Sequence, residues 1–127
     1  MEPKRNPSIV ESFRRAFAGF KDVMRTERNA KIHALVTVLV VALIFWLKLS
    51  AIQGCLVVLS IMGVWVAETL NTVLEILTDM VSPNFSKQAG RVKDIAAAAV
   101  LIASFVAVII GISILGPALI QRMSAFL

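Results

Sequence analysis

The sequence contains a single cysteine, Cys55, so an intrachain disulfide and a cysteine-based metal site are both excluded. Cys55 lies in a long apolar segment, where a packing role is expected. The first thirty or so residues lack the apolar core and small-residue cleavage site of a secretory signal peptide, and we expect the mature chain to keep them. No internal repeat or low-complexity tract divides the chain, which favours one domain over residues 1–127.

Charged residues are also scarce. They make up 17% of the chain against 58% for hydrophobic residues, and the apolar residues fall in three long blocks. A soluble domain of this length would have almost no polar surface left to cover such blocks, so the composition predicts an all-α membrane protein. The net charge of +5 does not indicate nucleic-acid binding, because no such motif is present and the basic residues flank the apolar blocks. Attraction to anionic lipid headgroups explains these basic residues.

The apolar patterns predict four helices. After Ser8, a candidate N-cap, apolar residues such as Phe13, Phe17 and Phe20 recur at three- and four-residue steps, which predicts an amphipathic helix in the membrane surface over residues 8–30. Membrane helices are expected over residues 32–49, 51–80 and 94–121. Eight Lys and Arg residues precede the first span and only one follows the last, so the N-terminus is expected in the cytoplasm and the C-terminus outside.

Four polar residues, Glu68, Asn71, Glu75 and Asp79, lie on the second membrane helix at separations of three, four and four residues. At 100° per residue they fall within an arc of about 80° on one face of the helix. Three carboxylates on one face repel each other, and placing one near hydrocarbon costs about 2.5 kcal/mol or more. A divalent cation is the natural compensation for this polar stripe, as we call these four residues.

Depth divides the polar stripe into two parts. If the helix enters the membrane at Ala51, Glu68 lies roughly 25 Å further along the helix axis. That distance puts Glu68 just short of the cytoplasmic face of the membrane. A partly desolvated Glu68 suits general-base work near neutral pH. The wetter Glu75 is better placed to hold a hydrated Mg²⁺ that also contacts phosphate oxygens.

Two further polar clusters are expected at the same level of the membrane. Residues 27–33 precede the first span, and Arg91, Lys93 and Asp94 precede the third. Together with the polar stripe they supply metal ligands, cations and a base for a hydroxyl, which are the components that phosphoryl transfer needs. The chain has no GxxxxGK[ST] loop, so any nucleotide site must be built on helices.

Several of these residues, taken alone, also fit a simpler structural role. Glu68 could be a buried carboxyl that hydrogen-bonds between helices, and Lys93 a charge that sets topology. His33 is expected to be an interfacial anchor, because no metal-ligand partner stands at helical spacing from it. Trp46 and Trp65 are more often interface or packing aromatics than substrate contacts, although Trp46 stays a candidate lipid contact.

At these residues the chain resembles the prokaryotic diacylglycerol kinase family, which includes the undecaprenol kinases. The matching segments are ERNAKIH at 27–33, ETLNTVLEILTD at 68–79 and KDIAAAAV at 93–100. The resemblance covers nearly the whole chain, and its E-x-x-N-[TS]-x-x-E core is specific. Asn84 and Ser86 stand where the diacylglycerol-specific branch tends to carry Glu and His, and the ERNxKIH segment is closer to the undecaprenol branch.

The resemblance implies an ATP- and Mg²⁺-dependent lipid kinase of the bacterial cytoplasmic (inner) membrane. It also implies a homotrimer with active sites shared between neighbouring subunits. Glu68 resembles the catalytic general base and Asn71 its close partner, while Glu27 and Glu75 resemble the metal-binding pair. The implied nucleotide-binding residues are Glu27, Glu75, Asp79, Lys93 and Asp94, and the candidate lipid contacts are Glu68 and Trp46.

Two questions stay open at the level of sequence. Undecaprenol is favoured over diacylglycerol as the acceptor, but an apolar groove for either lipid has a similar composition. A hypothesis of another class is a noncatalytic membrane subunit or an ion-conducting bundle, in which the polar stripe lines a cation path. Against it, the outer half of the second membrane helix is mostly apolar and offers no continuous polar route.

Overall fold

Four α-helices make up the fold. The computed structural model describes residues 7–84 and 86–125, and in these ranges it contains no β-strand. The helices are α1 (Ile9–Thr26), α2 (Arg28–Trp46), α3 (Ala51–Val81) and α4 (Lys87–Ser124). The last three are long and apolar enough to cross a membrane, which confirms the predicted fold class of an all-α protein with three membrane helices.

Helix α1 begins as predicted at Ser8, whose hydroxyl accepts a hydrogen bond of 3.2 Å from the backbone N–H of Glu11. It ends at Thr26 and not at residue 30. Glu27 adopts an extended backbone and is at once the C-cap of α1 and the N-cap of α2, so the chain turns there from one helix directly into the next. Phe13 and Phe17 are exposed on the apolar face, as a helix seated in a membrane surface requires.

The other helix boundaries also differ from the prediction in part. Helix α2 ends at Trp46, because Lys48 takes a positive φ of 53° in a tight turn before α3. Ser50 then starts α3 with a capping box that it forms with Gln53. Helix α4 begins at Lys87 and not at residue 94, because the Ser86 hydroxyl accepts a 3.1 Å hydrogen bond from the N–H of Ala89. The connection between α3 and α4 is therefore shorter than the gap between the spans expected over residues 51–80 and 94–121.

Helix α3 is the centre of the molecule. It packs along α4, crosses α2 and also contacts α1. One apolar cluster joins three helices, with Val23 from α1, Ala30 from α2, and Val57, Ile61 and Trp65 from α3. The large apolar side chains on the outer faces of α2 and α4 are exposed, which suits a chain surrounded by lipid or by other membrane helices. The inner face of α3 is therefore where a polar side chain is shielded by protein.

Candidate active site

The buried polar side chains of the described residues are Glu68, Asn71 and Thr72, and all three lie on α3. Thr72 is satisfied locally, because its hydroxyl donates a 3.1 Å hydrogen bond to the carbonyl of Glu68 one turn earlier. Glu68 is only 1% exposed, so its carboxylate is almost entirely withdrawn from solvent. Burying such a group is costly without compensating contacts, and its surroundings must therefore explain its presence.

Across from Glu68 lies His33 of α2. The Nε2 atom of His33 is 3.7 Å from Oε2 of Glu68, and among the described residues neither buried atom has a hydrogen-bond partner. The expectation that His33 anchors the chain at the membrane interface is therefore wrong in its orientation, since the ring faces the interior. Sequence spacing could not reveal this pair, because it joins two helices whose relative rotation is set by tertiary packing.

Asn71 and Glu75 continue the polar stripe towards the cytoplasmic level that the topology predicts. The Nδ2 atom of Asn71 donates a 3.1 Å hydrogen bond to Oε1 of Glu75, while its Oδ1 atom is buried without a partner among the described residues. Glu27, at the break between α1 and α2, and Glu75 both interact electrostatically with Glu68. The structure thus brings together three carboxylates that two different segments of the chain supply.

These oxygen donors suit a magnesium ion that arrives with a nucleotide. In the described part of the chain, no group of three or more His, Cys, Asp or Glu residues could hold a metal ion by itself. Mg²⁺ commonly binds through one or two carboxylates, keeps several water ligands and takes the remaining oxygens from phosphates. Glu27 and Glu75, the second of which accepts a hydrogen bond from Asn71, offer carboxylates of the kind that such a site uses.

Lys93 of α4 lies beside Asp79, which is the last residue of the polar stripe. Lys93 Nζ is 2.6 Å from Oδ1 of Asp79, and Lys93 also interacts electrostatically with Glu75. Both side chains of the ion pair are partly exposed, so the pair contributes little to stability and Lys93 can also reach an added anion. Asp94 follows Lys93 on an exposed part of α4.

Two adjoining cavities lie next to Glu68. The first, of about 270 Å³, is lined by Glu68, Asn71, His33 and Ser104 among others. The second, of about 390 Å³, also includes His33 and Ser104 but is otherwise mainly apolar, and it extends along α2, α3 and α4 as far as Leu115. A pocket with several polar side chains therefore opens beside a mainly apolar groove, an arrangement that suits a lipid with a small polar end.

Trp46 is the one predicted site residue that lies far from this region. It is thirteen residues after His33 on α2, which places it roughly 20 Å along the helix axis. Its ring is 5.9 Å from the guanidinium carbon of Arg122 near the end of α4. The structure does not bring Trp46 to Glu68, and a lipid contact through this residue stays a prediction.

A hydrogen-bonded chain beside the site was not foreseen from the sequence. The indole N–H of Trp65 donates to the hydroxyl of Thr37 at 3.0 Å, and that hydroxyl donates to the carbonyl of His33 at 2.6 Å. The ring of Phe20 from α1 lies 5.1 Å from the Trp65 ring. Trp65 therefore does pack, as expected, but it also fixes α2 against α3 beside Glu68.

Comparisons with known proteins show the family to which the chain belongs. The family described as prokaryotic diacylglycerol kinase matches residues 14–115 of the chain. A diacylglycerol kinase of Synechocystis sp. is 38% identical over 118 residues, which cover 92% of this chain and 67% of the relative. An undecaprenol kinase of Bacillus subtilis is 35% identical over 111 residues, or 87% of this chain and 90% of the relative. A diacylglycerol kinase of Escherichia coli is 32% identical over 101 residues, or 80% and 83%.

The contact between Trp65 and Thr37 yields a stability prediction. Replacing Thr37 with Val leaves the indole N–H of the buried Trp65 without its acceptor, so we expect thermal unfolding of the purified protein in detergent to show a loss of about 1–3 kcal/mol. Thr37→Ser keeps the hydroxyl and is the matched control, with a stability near that of the wild type. Equal stability of the Val and Ser variants would show that this hydrogen bond does not hold α2 against α3.

Proposed function

This chain belongs to the prokaryotic diacylglycerol kinase family and is a lipid kinase, and we propose that Glu68 is the general base of its phosphoryl transfer. In this proposal the γ-phosphoryl group of MgATP passes to the hydroxyl of a membrane lipid. One observation carries it: a nearly inaccessible carboxylate lines a pocket together with His33 and Ser104, and this pocket adjoins a mainly apolar groove. The family membership leaves the noncatalytic or ion-conducting alternative without support.

The lipid would lie with its hydroxyl in the pocket at Glu68 and its chain in the apolar groove. We propose undecaprenol as the preferred acceptor, because the ERNAKIH segment at 27–33 resembles the undecaprenol branch. Trp46 would contact the lipid tail near the other end of α2.

The reaction then follows from the positions of these groups. The lipid oxygen attacks the γ-phosphorus as its proton moves to the Glu68 carboxylate, and the bond from the γ-phosphorus to the bridging oxygen breaks to release ADP. Asn71 holds Glu75 in place through its amide donor. Lys93, which Asp79 orients, counters the charge on the phosphates. Asp94 completes the nucleotide-binding residues.

Glu27 and Glu75 are the residues that would hold Mg²⁺. When bound with ATP, the ion would neutralise phosphate charge and orient the γ-phosphoryl group for attack. Glu27 suits this role because its position between α1 and α2 keeps it partly exposed while it remains within electrostatic range of Glu68. The two carboxylates therefore mark the nucleotide side of the site, and Glu68 the lipid side.

We propose that the protein is a homotrimer in the bacterial cytoplasmic membrane, with its N-terminus in the cytoplasm and its C-terminus outside. This orientation places Glu27, Glu75 and Lys93 on the side where ATP is available. The broad apolar faces that α2 and α4 leave exposed offer surface for neighbouring subunits as well as for lipid. Active sites shared between subunits would bring further groups to the open side of the pocket.

Removing the carboxylate at position 68 tests the assignment of the base. We expect Glu68→Gln to lower turnover roughly 10²- to 10⁴-fold, because proton transfer from the lipid hydroxyl loses its acceptor, while MgATP binding is retained. Phosphorylated lipid formed by purified protein in mixed micelles is the quantity to measure. Glu11→Gln makes the same chemical change on α1, where Glu11 pairs with Arg15, and should leave turnover unchanged. Normal turnover in Glu68→Gln would exclude this base.

The magnesium assignment has a separate test. Glu27→Gln or Glu75→Gln should raise the Mg²⁺ concentration needed for half-maximal activity roughly 10-fold or more, because each variant loses a charged ligand. Binding of Mn²⁺ in the presence of ATP, followed by electron paramagnetic resonance, should weaken in parallel, whereas Glu11→Gln should leave both quantities unchanged. An unaltered metal requirement in both site variants would remove these residues from the metal site.

A further inference from the structure

We infer that His33 is a positioning residue for the base: its Nε2–H donates a hydrogen bond to Oε2 of Glu68 and turns the other carboxylate oxygen towards the lipid hydroxyl. This inference rests on the proposed role of Glu68. It requires a proton on Nε2, and no proton leaves His33 during the reaction. The proton from the lipid hydroxyl ends on Glu68, as in the mechanism above.

The first support is that two facing buried atoms, one on α2 and one on α3, both lack a hydrogen-bond partner among the described residues. His33 Nε2 and Glu68 Oε2 are 3.7 Å apart, and each is buried without a hydrogen-bond partner among the described residues. A separation of 3.7 Å exceeds a normal hydrogen bond, but a side-chain shift of roughly 0.8 Å would bring it into range. Since unsatisfied buried polar atoms are costly, closing this gap would satisfy both atoms at once.

The second support is the chemistry of the other groups around Glu68. Glu27 and Glu75 interact with it electrostatically, but an ionised carboxylate has no proton to donate. Asn71 commits its amide Nδ2 to Glu75, which leaves only an acceptor, Oδ1, without a partner. Asn29 and Ser104 also carry donors and line the pocket, but the buried donor atom that lies 3.7 Å from Oε2 and lacks a hydrogen-bond partner among the described residues is His33 Nε2.

The third support is that His33 is itself held in place. Thr37 donates a hydrogen bond to its backbone carbonyl, and Trp65 donates to Thr37 from α3. The Trp65 ring also meets the imidazole edge-on, with ring centres 6.2 Å apart and planes at 68°. A histidine that only anchored the chain at the interface would extend its ring towards the headgroups, whereas this side chain is 20% exposed and faces a carboxylate.

Substitution of His33 separates this role from simple packing. We expect His33→Leu to lower kcat roughly 10- to 100-fold with the KM for MgATP unchanged, because one hydrogen bond to a charged group is lost in the reacting state. His33→Gln carries an amide donor and should recover activity to within about fivefold of the wild type. Glu11→Gln on α1 is again the control and should keep normal turnover.

A double-mutant comparison links the effect to Glu68. In the Glu68→Gln background, His33→Leu should cause no further loss of phosphorylated lipid. The effects of two substitutions are not additive when the two residues act as a unit. Full additivity, or a kcat within twofold of the wild type in His33→Leu, would overturn the inference.

If His33→Leu fails to fold, His33→Ala with added imidazole takes its place: recovery of turnover supports the role, and no recovery contradicts it. Glu68→Gln alone tells the two proposals apart, since its normal activity would remove the base itself.

Discussion

Burial of one carboxylate at the end of the apolar part of a membrane helix is the constraint on which this structure depends. Glu68 is 1% exposed on a helix that is mainly apolar from Ala51 to Ala67, and a charge at such a position is expensive. Helix α2 places His33 opposite the carboxylate, and α4 closes the cavity beside it with Ser104. Glu27, at the break before α2, adds a second negative charge within electrostatic range, which favours a bound cation there.

Short connections between the helices help to bring these residues close to the polar stripe. Glu27 alone separates α1 from α2, so a residue of the surface segment reaches the level of the polar stripe without a loop. At the other connection, the Ser86 cap starts α4 early, and Lys93 then lies on a formed helix when it meets Asp79. Rigid helices therefore carry nearly all of the proposed chemistry, which limits the entropy lost when substrates bind.

The amino-acid sequence predicts the parts of this structure that depend on composition and helical period. Long apolar blocks predict the three spans, and the spacing from Glu68 to Asp79 predicts one polar face. The start of α4 at Lys87 was missed, because a local serine cap outweighed the loop signals of proline and glycine around it. The pairing of His33 with Glu68 was missed since it depends on how two helices rotate against each other. The roles assigned to the polar residues stay predictions.

The central claim is that this site moves phosphate from ATP to a lipid hydroxyl. The most direct test is to supply the purified protein with γ-labelled ATP, Mg²⁺ and either undecaprenol or diacylglycerol in mixed micelles, and to measure the label in each lipid. We expect label to enter undecaprenol, and to enter it faster than it enters diacylglycerol. Label that never enters either lipid, while the ATP is left intact or is only hydrolysed, would contradict the central claim.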